Sequence, residues 1–368
     1  MRKRAAAILL ALCMALTLLP TAAFATEEGG AAAPVEQPTQ QEEKQEGQQE
    51  QPEETPEQPE EQPEAKPAEQ PEQQQQEPAA QGGPAVQSNE TGIALLADEH
   101  KHCICGGSVT AGDHTSHSDV AYQPWNGTDG ISYTNNTAYV YLTGNATIGG
   151  HLTVDGKTLY LCLNGKTLSS NGTAKIQVKN GGRLVLCDCQ GGGTVKGATS
   201  GWGGMCVYLY NSRLDMFGGK LTGGKVTGKG GGGAIALDDQ QCIFNMYGGE
   251  ISGNNGNNYG GAIFRKFNAN MPNTTGGTFN MYGGTIKDNT AKNGGAFFST
   301  TGGTINMTGG TISGNKATQS NNDAGGGAIY MRGNGKIDIS GSAKINSNTA
   351  SRWGGAICLR QDSNQSTT

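Results

Sequence analysis

The chain has 368 residues and a formal net charge of −6, and glycine supplies 60 of its residues, about twice the ordinary share of ~7%. The charge is divided unevenly: residues 26–100 contain 19 acidic and 2 basic side chains (−17), whereas residues 101–368 contain 21 basic and 13 acidic ones (+8). The basic residues of the second part are spread over many repeats without an aromatic-rich cluster, which argues against nucleic acid as a partner. The net positive charge of residues 101–368 still favours binding of anionic polymers, such as acidic glycans, by general electrostatics.

Residues 1–25 have the three parts of a secretory signal peptide. Arg2–Arg4 is the basic start, Ala5–Leu19 is apolar, and Ala23–Ala25 supplies the small residues of a cleavage site. The apolar run is shorter than the ~20 residues that a membrane-spanning helix needs, so we expect cleavage and no membrane insertion by this segment. The sequence therefore predicts an exported protein, either secreted or held at the cell surface.

Residues 26–97 consist mainly of Glu, Gln, Pro and Ala. A segment with so few large apolar side chains cannot offset the entropy lost on ordering, so we expect a disordered linker. Frequent proline and excess negative charge should extend it, which suits a spacer. The alternative is a solubilising tail with no further task.

Two short phrases recur along the rest of the chain. The first is Gly-Gly-Ala followed by Ile or Phe, and its copies begin at Gly232, Gly260, Gly294, Gly326 and Gly354. The second is an apolar-Asn-Met-aromatic-Gly-Gly phrase and its variants, at Leu214–Gly219, Phe244–Gly249, Phe279–Gly284 and Ile305–Gly310. Repetition at intervals of this length indicates a solenoid.

Three short strand-like pieces in each repeat predict a right-handed parallel β-helix over residues 131–368, an all-β fold in which each strand pairs with its equivalent ~4.8 Å along the axis. Phe244 and Met246 should point inward, while Asn245 should stack outside on its equivalents. An α-helix is a poor alternative because no window has apolar residues at helical spacing. A β-propeller is the better alternative, but its blades need longer strands and about 40 residues each. The last residue, Thr368, closely follows a repeat phrase, so we expect that this is a piece of a longer protein.

The repeats resemble those of a known family. Gly-Gly-Ala-Ile combined with Ile-x-x-Asn, as in Ile251–Asn254, is similar to the paired GGAI and FxxN repeats of chlamydial polymorphic membrane proteins, with isoleucine in place of phenylalanine. The resemblance implies a surface-exposed β-helical adhesin.

A second resemblance covers more of the chain, about residues 98–360. The motifs at His100–Gly107 (His-x-His-Cys-x-Cys-Gly-Gly), Leu161–Thr167 (Leu-Cys-Leu-Asn-Gly-Lys-Thr) and Leu186–Cys189 (Leu-Cys-Asp-Cys) are similar to those of large secreted proteins of gut clostridia. This resemblance implies a cell-surface location and the same architecture. It implies no particular activity.

A Cys/His module and N-terminal cap are expected over residues 98–130. Cys-x-Cys and His-x-x-His pairs could together form a tetrahedral, structural zinc site, although one residue between the cysteines is tighter than in ordinary zinc modules. The four ligands would be Cys103, Cys105, His114 and His117. The alternative is an extracellular disulfide with histidines in a polar loop. Farther along, Cys162 and Cys187 share a Leu-Cys context and should lie on adjacent coils.

Aromatic residues recur once per coil and suggest ligand binding. If the Gly-Gly-Ala strands bury their isoleucines, the residues that follow form an outward aromatic stripe of Phe264, Phe298 and Tyr330. A second stripe would consist of Phe217, Tyr247 and Tyr282. Rows of exposed rings suit sugar rings or a surface-protein partner. The opposite strand phase would bury the first stripe. The sequence thus favours an adhesin-like or structural protein, not an enzyme, that makes multivalent contacts to glycan or protein.

An enzyme acting on polysaccharides, a lyase or a glycoside hydrolase, is the alternative function. Asp238 and Asp239 are the only adjacent acidic pair in the repeats, and Arg265 and Lys266 fall on the same part of the next coil. Hydrolysis needs two carboxylates that flank the scissile bond. The other residues of known β-helix hydrolase motifs are missing, so solvated loop charges are the simpler interpretation.

Overall fold

The computed structural model describes residues 100–105, 119–239, 241–266, 277–300 and 302–361. The chain divides into two units, residues 1–88 and 89–368, and all of the described residues belong to the second. The predicted signal peptide, the predicted linker and two of the predicted zinc ligands, His114 and His117, lie outside the described residues. None of the residues described forms a helix that is long and apolar enough to cross a membrane.

The described part of the chain is built from β-strands that wind repeatedly around one core, and each coil gives one strand to each of three parallel sheets. Sheet I consists of β3 (Gln123–Trp125), β4 (Thr137–Leu142), β7 (Thr158–Cys162), β10 (Arg183–Cys187), β14 (Arg213–Met216), β18 (Ile243–Met246), β21 (Thr278–Met281), β25 (Gly303–Met307) and β29 (Gly335–Ile339). Sheet II consists of β5 (Ala146–Ile148), β8 (Thr167–Ser170), β11 (Thr194–Lys196), β15 (Lys220–Thr222), β19 (Glu250–Ser252), β22 (Thr285–Lys287), β26 (Thr311–Ser313) and β30 (Lys344–Asn346). Sheet III consists of β6 (Leu152–Asp155), β9 (Ile176–Lys179), β13 (Val207–Tyr210), β17 (Ile235–Leu237), β20 (Ile263–Arg265), β24 (Phe297–Ser299), β28 (Ile329–Arg332) and β32 (Ile357–Arg360).

Three smaller groups of strands complete the described structure. Two short parallel groups lie between sheets II and III in the chain: the pair of β12 (Thr199–Ser200) with β16 (Lys225–Val226), and the three strands β23 (Thr290–Ala291), β27 (Lys316–Ala317) and β31 (Thr349–Ala350). The antiparallel pair is β1 (Lys101–His102) with β2 (Val120–Ala121).

The parallel pairing is in register from coil to coil, which confirms the predicted parallel β-helix. Phe244 pairs with Phe279, and Met246 pairs with Met281. Each strand thus finds in the next coil a strand of nearly the same sequence. This is why the phrases repeat: a side chain placed at one height must be compatible with its equivalent ~4.8 Å above and below.

The core runs along the axis and is filled by apolar columns from all three sheets. Phe244 and Met246 are fully buried, as predicted, and the sheet II column is represented by Ile251 and Ile286. The sequence leaves two phases open for the Gly-Gly-Ala strands, and the structure has the phase in which their first apolar residues face this core: Ile235, Ile263, Phe297 and Ile329. The clustered core removes a continuous apolar surface from water along the described coils.

Two asparagine ladders join the coils through side-chain hydrogen bonds. The predicted outer ladder is present: the Asn280 amide donates to Asn245 Oδ1 (2.7 Å), and the Asn306 amide donates to Asn280 Oδ1 (2.8 Å). A second, buried ladder occupies the turn after sheet II and links the last residues of the Ile-x-x-Asn motifs: Asn254, Asn289, Asn315 and Asn348. There each amide also bonds backbone groups that would otherwise be buried without partners.

Asn289, which is fully buried, shows the bonds that an inner member of the buried ladder makes. Its amide donates to the Ile251 carbonyl (2.9 Å) and to Asn315 Oδ1 (3.0 Å), and its Oδ1 accepts from the backbone N–H of Asn254 (3.0 Å). One side chain therefore satisfies backbone groups of the coil before it and the amide ladder on both sides.

The glycine pair of each Gly-Gly-Ala phrase, which precedes the later strands of sheet III, is required by geometry. Gly294 has a φ of +64°, a left-handed conformation that glycine adopts without strain. At Gly295 a Cβ would lie 2.2 Å from the carbonyl oxygen of Gly327 in the next coil. The first glycine therefore makes the turn, and the second lets adjacent coils approach.

We expect Asn289→Ala to lower the free energy of unfolding by about 3 kcal/mol, because it leaves buried backbone groups without hydrogen-bond partners. Asn306→Ala, in the half-buried outer ladder, should cost about 1 kcal/mol or less. Urea denaturation followed by circular dichroism measures both. Equal losses in the two variants would show that the buried ladder has no special role.

Candidate functional site

A groove lies on the outer face of sheet III. The outward column of this sheet runs through Gln177, Tyr208, Ala236 and Phe264, one residue from each coil. Ala236 is far smaller than its neighbours, so the column has a depression at this coil. The cavity of about 360 Å³ extends over this region and includes residues from the turn after β12.

Trp202 stands at the rim of the groove, in the turn between β12 and β13. The residue is 65% exposed, which is unusual for a large, mainly apolar side chain. The Lys266 ammonium lies 5.5 Å from the centre of the indole ring. An exposed indole beside a cavity offers a flat apolar face to a ligand.

The polar wall of the groove is a three-residue network. The Tyr208 hydroxyl donates a hydrogen bond to Asp238 Oδ2, and Lys266 Nζ forms an ion pair with Asp238 Oδ1 at 3.1 Å. Burial, together with the hydrogen bond and charge of Asp238, raises the pKa of Tyr208. Tyr208 therefore remains a protonated hydroxyl at neutral pH.

Two further basic residues line the groove, Lys175 and His151. Lys175 is buried, and its Nζ donates to the Gly203 carbonyl (3.0 Å), which ties down the turn that carries Trp202. Burial lowers the pKa of Lys175. The pKa of His151 is lowered by its burial and then by the charge of Lys175, so His151 is mostly neutral at pH 7.

The structure brings together only part of the predicted catalytic set. Asp238 and Lys266 both line the groove, whereas Asp239 lies outside its lining and its Oδ1 caps the Gln241 backbone N–H (3.0 Å) in a turn. Arg265 occupies the inward column in register with Leu237 and Ser299, and it donates to Ser299 Oγ (3.1 Å). Adjacent residues of a strand face opposite sides, so grouping Arg265 with Lys266 at one surface was wrong.

The first predicted aromatic stripe is in register and lies outside the main core, but it is not exposed. Phe264, Phe298 and Tyr330 are only 7%, 2% and 1% exposed and form a separate apolar cluster. The ring of Tyr259 lies 4.5 Å from that of Phe298, and the glycine turn at Gly232 passes close to Phe264. The predicted exposure of this stripe was therefore wrong, because the turns that precede the strands cover it.

The second stripe forms a continuous stack along the outer face of sheet I. The rings of Phe217 and Tyr247 lie 4.6 Å apart, and those of Tyr247 and Tyr282 lie 4.9 Å apart, all nearly parallel. Phe217 is buried, Tyr247 is half-buried and Tyr282 is 37% exposed. Exposure therefore increases along this stack, and its last ring offers a contact surface.

The Cys/His module is described only in part. Cys103 Sγ lies 2.7 Å from Cys105 Sγ, so these two predicted zinc ligands are adjacent. With His114 and His117 outside the described residues, the four-residue site stays a prediction. Cys162 and Cys187 pair directly on neighbouring coils and are both buried, as predicted from their shared context.

Sequence reasoning missed five of the residues that line the groove: His151, Lys175, Gln177, Trp202 and Tyr208. None belongs to a repeated phrase, and their turns and strands differ in length between coils. An alignment of the coils could have indicated the groove, because it places the small residue Ala236 between the large residues Tyr208 and Phe264 in one outward column.

Comparisons with protein-family models, with curated proteins and with solved structures found no significant match. The groove is therefore interpreted from its own geometry.

Proposed function

We propose that this protein is an exported, cell-surface or secreted β-helix that binds saccharide chains in the sheet III groove. The observation that carries the proposal is the exposed indole of Trp202 at the rim of a cavity that has a polar wall. The solenoid serves as the stiff scaffold that positions this groove, and the predicted linker serves as a spacer.

Saccharides match both surfaces of the groove. A pyranose ring has an apolar face that stacks on an indole, and its hydroxyls both donate and accept hydrogen bonds. Tyr208 and Gln177 supply neutral polar groups, and the Asp238–Lys266 pair supplies an acceptor beside a donor. A purely apolar ligand would leave these groups unpaired, which costs binding free energy.

The charges of the groove favour an acidic saccharide over a neutral one. Lys175 and Lys266 are opposed by a single carboxylate, Asp238, among the charged residues that line the cavity, while His151 is mostly neutral. Residues 101–368 as a whole carry a formal charge of +8. This combination attracts uronate, sulfate or phosphate groups.

Adhesion would come from many weak contacts. One groove of this size gives modest affinity, and copies displayed together on a surface raise the effective concentration for a polymeric ligand. The exposed end of the aromatic stack, at Tyr282, provides a second contact face for glycan or protein on sheet I.

We expect Trp202→Ala to weaken binding of an acidic polysaccharide, such as polygalacturonate, by roughly 10- to 30-fold, about 1.4–2 kcal/mol, because the stacking face is lost. Affinity electrophoresis or calorimetry measures the change. Trp353→Ala is the matched control, since Trp353 is 55% exposed and packs near Arg352 outside the groove. Equal binding by the two variants and the wild type would refute the groove as the binding site.

A polysaccharide lyase is the second candidate, and one observation favours it. Lys175, whose pKa is lowered, and Tyr208 line the same cavity, so they could act there as a general base and a general acid. Lyases remove a proton next to a uronate carboxyl and leave an unsaturated product. Asp238 is the only carboxylate among the described residues that line the groove, which does not fit hydrolysis by two carboxylates.

Incubation with polygalacturonate and other polysaccharides, followed by ultraviolet absorbance and mass spectrometry, separates the two functions. A binder leaves the polymers intact, and this is the result we expect. Unsaturated fragments formed by the wild type, and lost with Tyr208→Phe while binding persists, would establish the lyase instead.

A further inference from the structure

Four potential metal ligands converge on the outer face of sheet I, whereas the groove lies on sheet III. One ring nitrogen from each of two histidines and two cysteine sulfurs all lie within 4.8 Å of one another: His100, His102, Cys162 and Cys189. His100 directly precedes β1, and His102 is the last residue of β1. Cys162 is the last residue of β7, and Cys189 lies two residues after β10.

The distances approach those of a tetrahedral zinc site. Cys162 Sγ lies 3.3 Å from Cys189 Sγ, and His100 Nε2 lies 3.4 Å from Cys189 Sγ. Zn–S bonds of about 2.3 Å and Zn–N bonds of about 2.0 Å in a tetrahedron place the ligand atoms roughly 3.3–3.8 Å from one another. Small movements of the side chains would therefore complete the coordination shell.

His102 is oriented as a metal ligand. Its Nδ1 lies 2.6 Å from the Cys103 carbonyl oxygen, and since a carbonyl only accepts, Nδ1 carries the proton. This leaves a lone pair on Nε2, an atom that is buried without a hydrogen bond of normal geometry. A backbone carbonyl on the far nitrogen is the usual outer contact of a zinc-bound histidine.

The surroundings hold both imidazoles in place. The ring of His100 stacks on Tyr141 with centroids 4.0 Å apart, and the ring of His102 stacks on Tyr122 at 4.1 Å. A small apolar cluster that includes Tyr122 and Cys187 packs around the site. Preorganised rings and restricted water access both strengthen metal binding.

We propose that one zinc ion binds here, held by four ligands: His100, His102, Cys162 and Cys189. The two thiolates balance the charge of Zn²⁺, and four protein ligands leave no open position, so the site is structural. It fastens the N-terminal module to the second and third coils by linking residues 89 positions apart. This set differs from the sequence-predicted set of Cys103, Cys105, His114 and His117.

The test is zinc content. We expect the full chain, purified under reducing conditions with zinc and freed of excess metal, to retain one zinc ion per molecule by mass spectrometry. Cys189→Ser and His102→Gln should lose it, and cobalt substituted for zinc should give the absorption of a tetrahedral site with thiolate ligands. Chelation should lower the melting temperature of the wild type but not of the two variants.

Three control variants keep the assignment specific: His151→Gln, Cys358→Ser and the double variant Cys103→Ser/Cys105→Ser should all retain zinc. Loss of zinc only in the double variant would overturn the proposal in favour of the sequence-predicted set. A metal-free wild type would also overturn it, as would a Cys162–Cys189 disulfide found by mass spectrometry in the reduced preparation. If a ligand variant does not fold, the wild-type stoichiometry and cobalt spectrum decide the outcome.

Discussion

The in-register stacking of equivalent residues is the constraint on which the whole structure depends. In the parallel sheets each residue lies directly against its counterpart one coil away, ~4.8 Å along the axis. The side chain at each position must therefore pack against, or hydrogen-bond to, the equivalent side chains of the coils above and below. Asn289 can bond Asn254 and Asn315 only because all three occur at the same point of their coils. The same closeness excludes a Cβ at Gly295. Repetition in the sequence is thus a direct consequence of coil spacing.

The groove arises where this repetition is interrupted. Tyr208 and Phe264 are large outward residues, and Ala236 between them is small, which leaves a depression on an otherwise continuous face. Beside it, the turn that carries Trp202 belongs to a coil whose connection from sheet II to sheet III has its own sequence. Regular coils supply stiffness, and irregular ones supply sites, because only an irregular coil presents functional groups that its neighbours lack.

The same principle decides what the sequence could predict. The inward phase of Phe244, the outer ladder at Asn245 and the adjacency of Cys162 and Cys187 follow from alternation and repeat alignment, which are local properties. The burial of Phe298 depends on how turns of other coils fold over it, so a strand pattern cannot reveal it. Arg265 was assigned to the groove face because it is adjacent in sequence to Lys266, but neighbouring residues of a strand point to opposite faces. Groove residues such as Trp202 lie outside the phrases and become neighbours only through coil geometry.

One outward column of sheet I has different roles along its length. It passes through Tyr141, Cys162, Cys187, Phe217 and Tyr247 to Tyr282. Near the N-terminal module the column contains the small, buried residues Cys162 and Cys187, and Cys162 is a ligand of the proposed zinc site. Farther along, stacked rings become progressively exposed. A module held by a metal against the first coils covers apolar surface on the outer face of sheet I that would otherwise be exposed to other chains. The distal rings then remain available for contact, so the position of the module determines which part of the column is core and which part is surface.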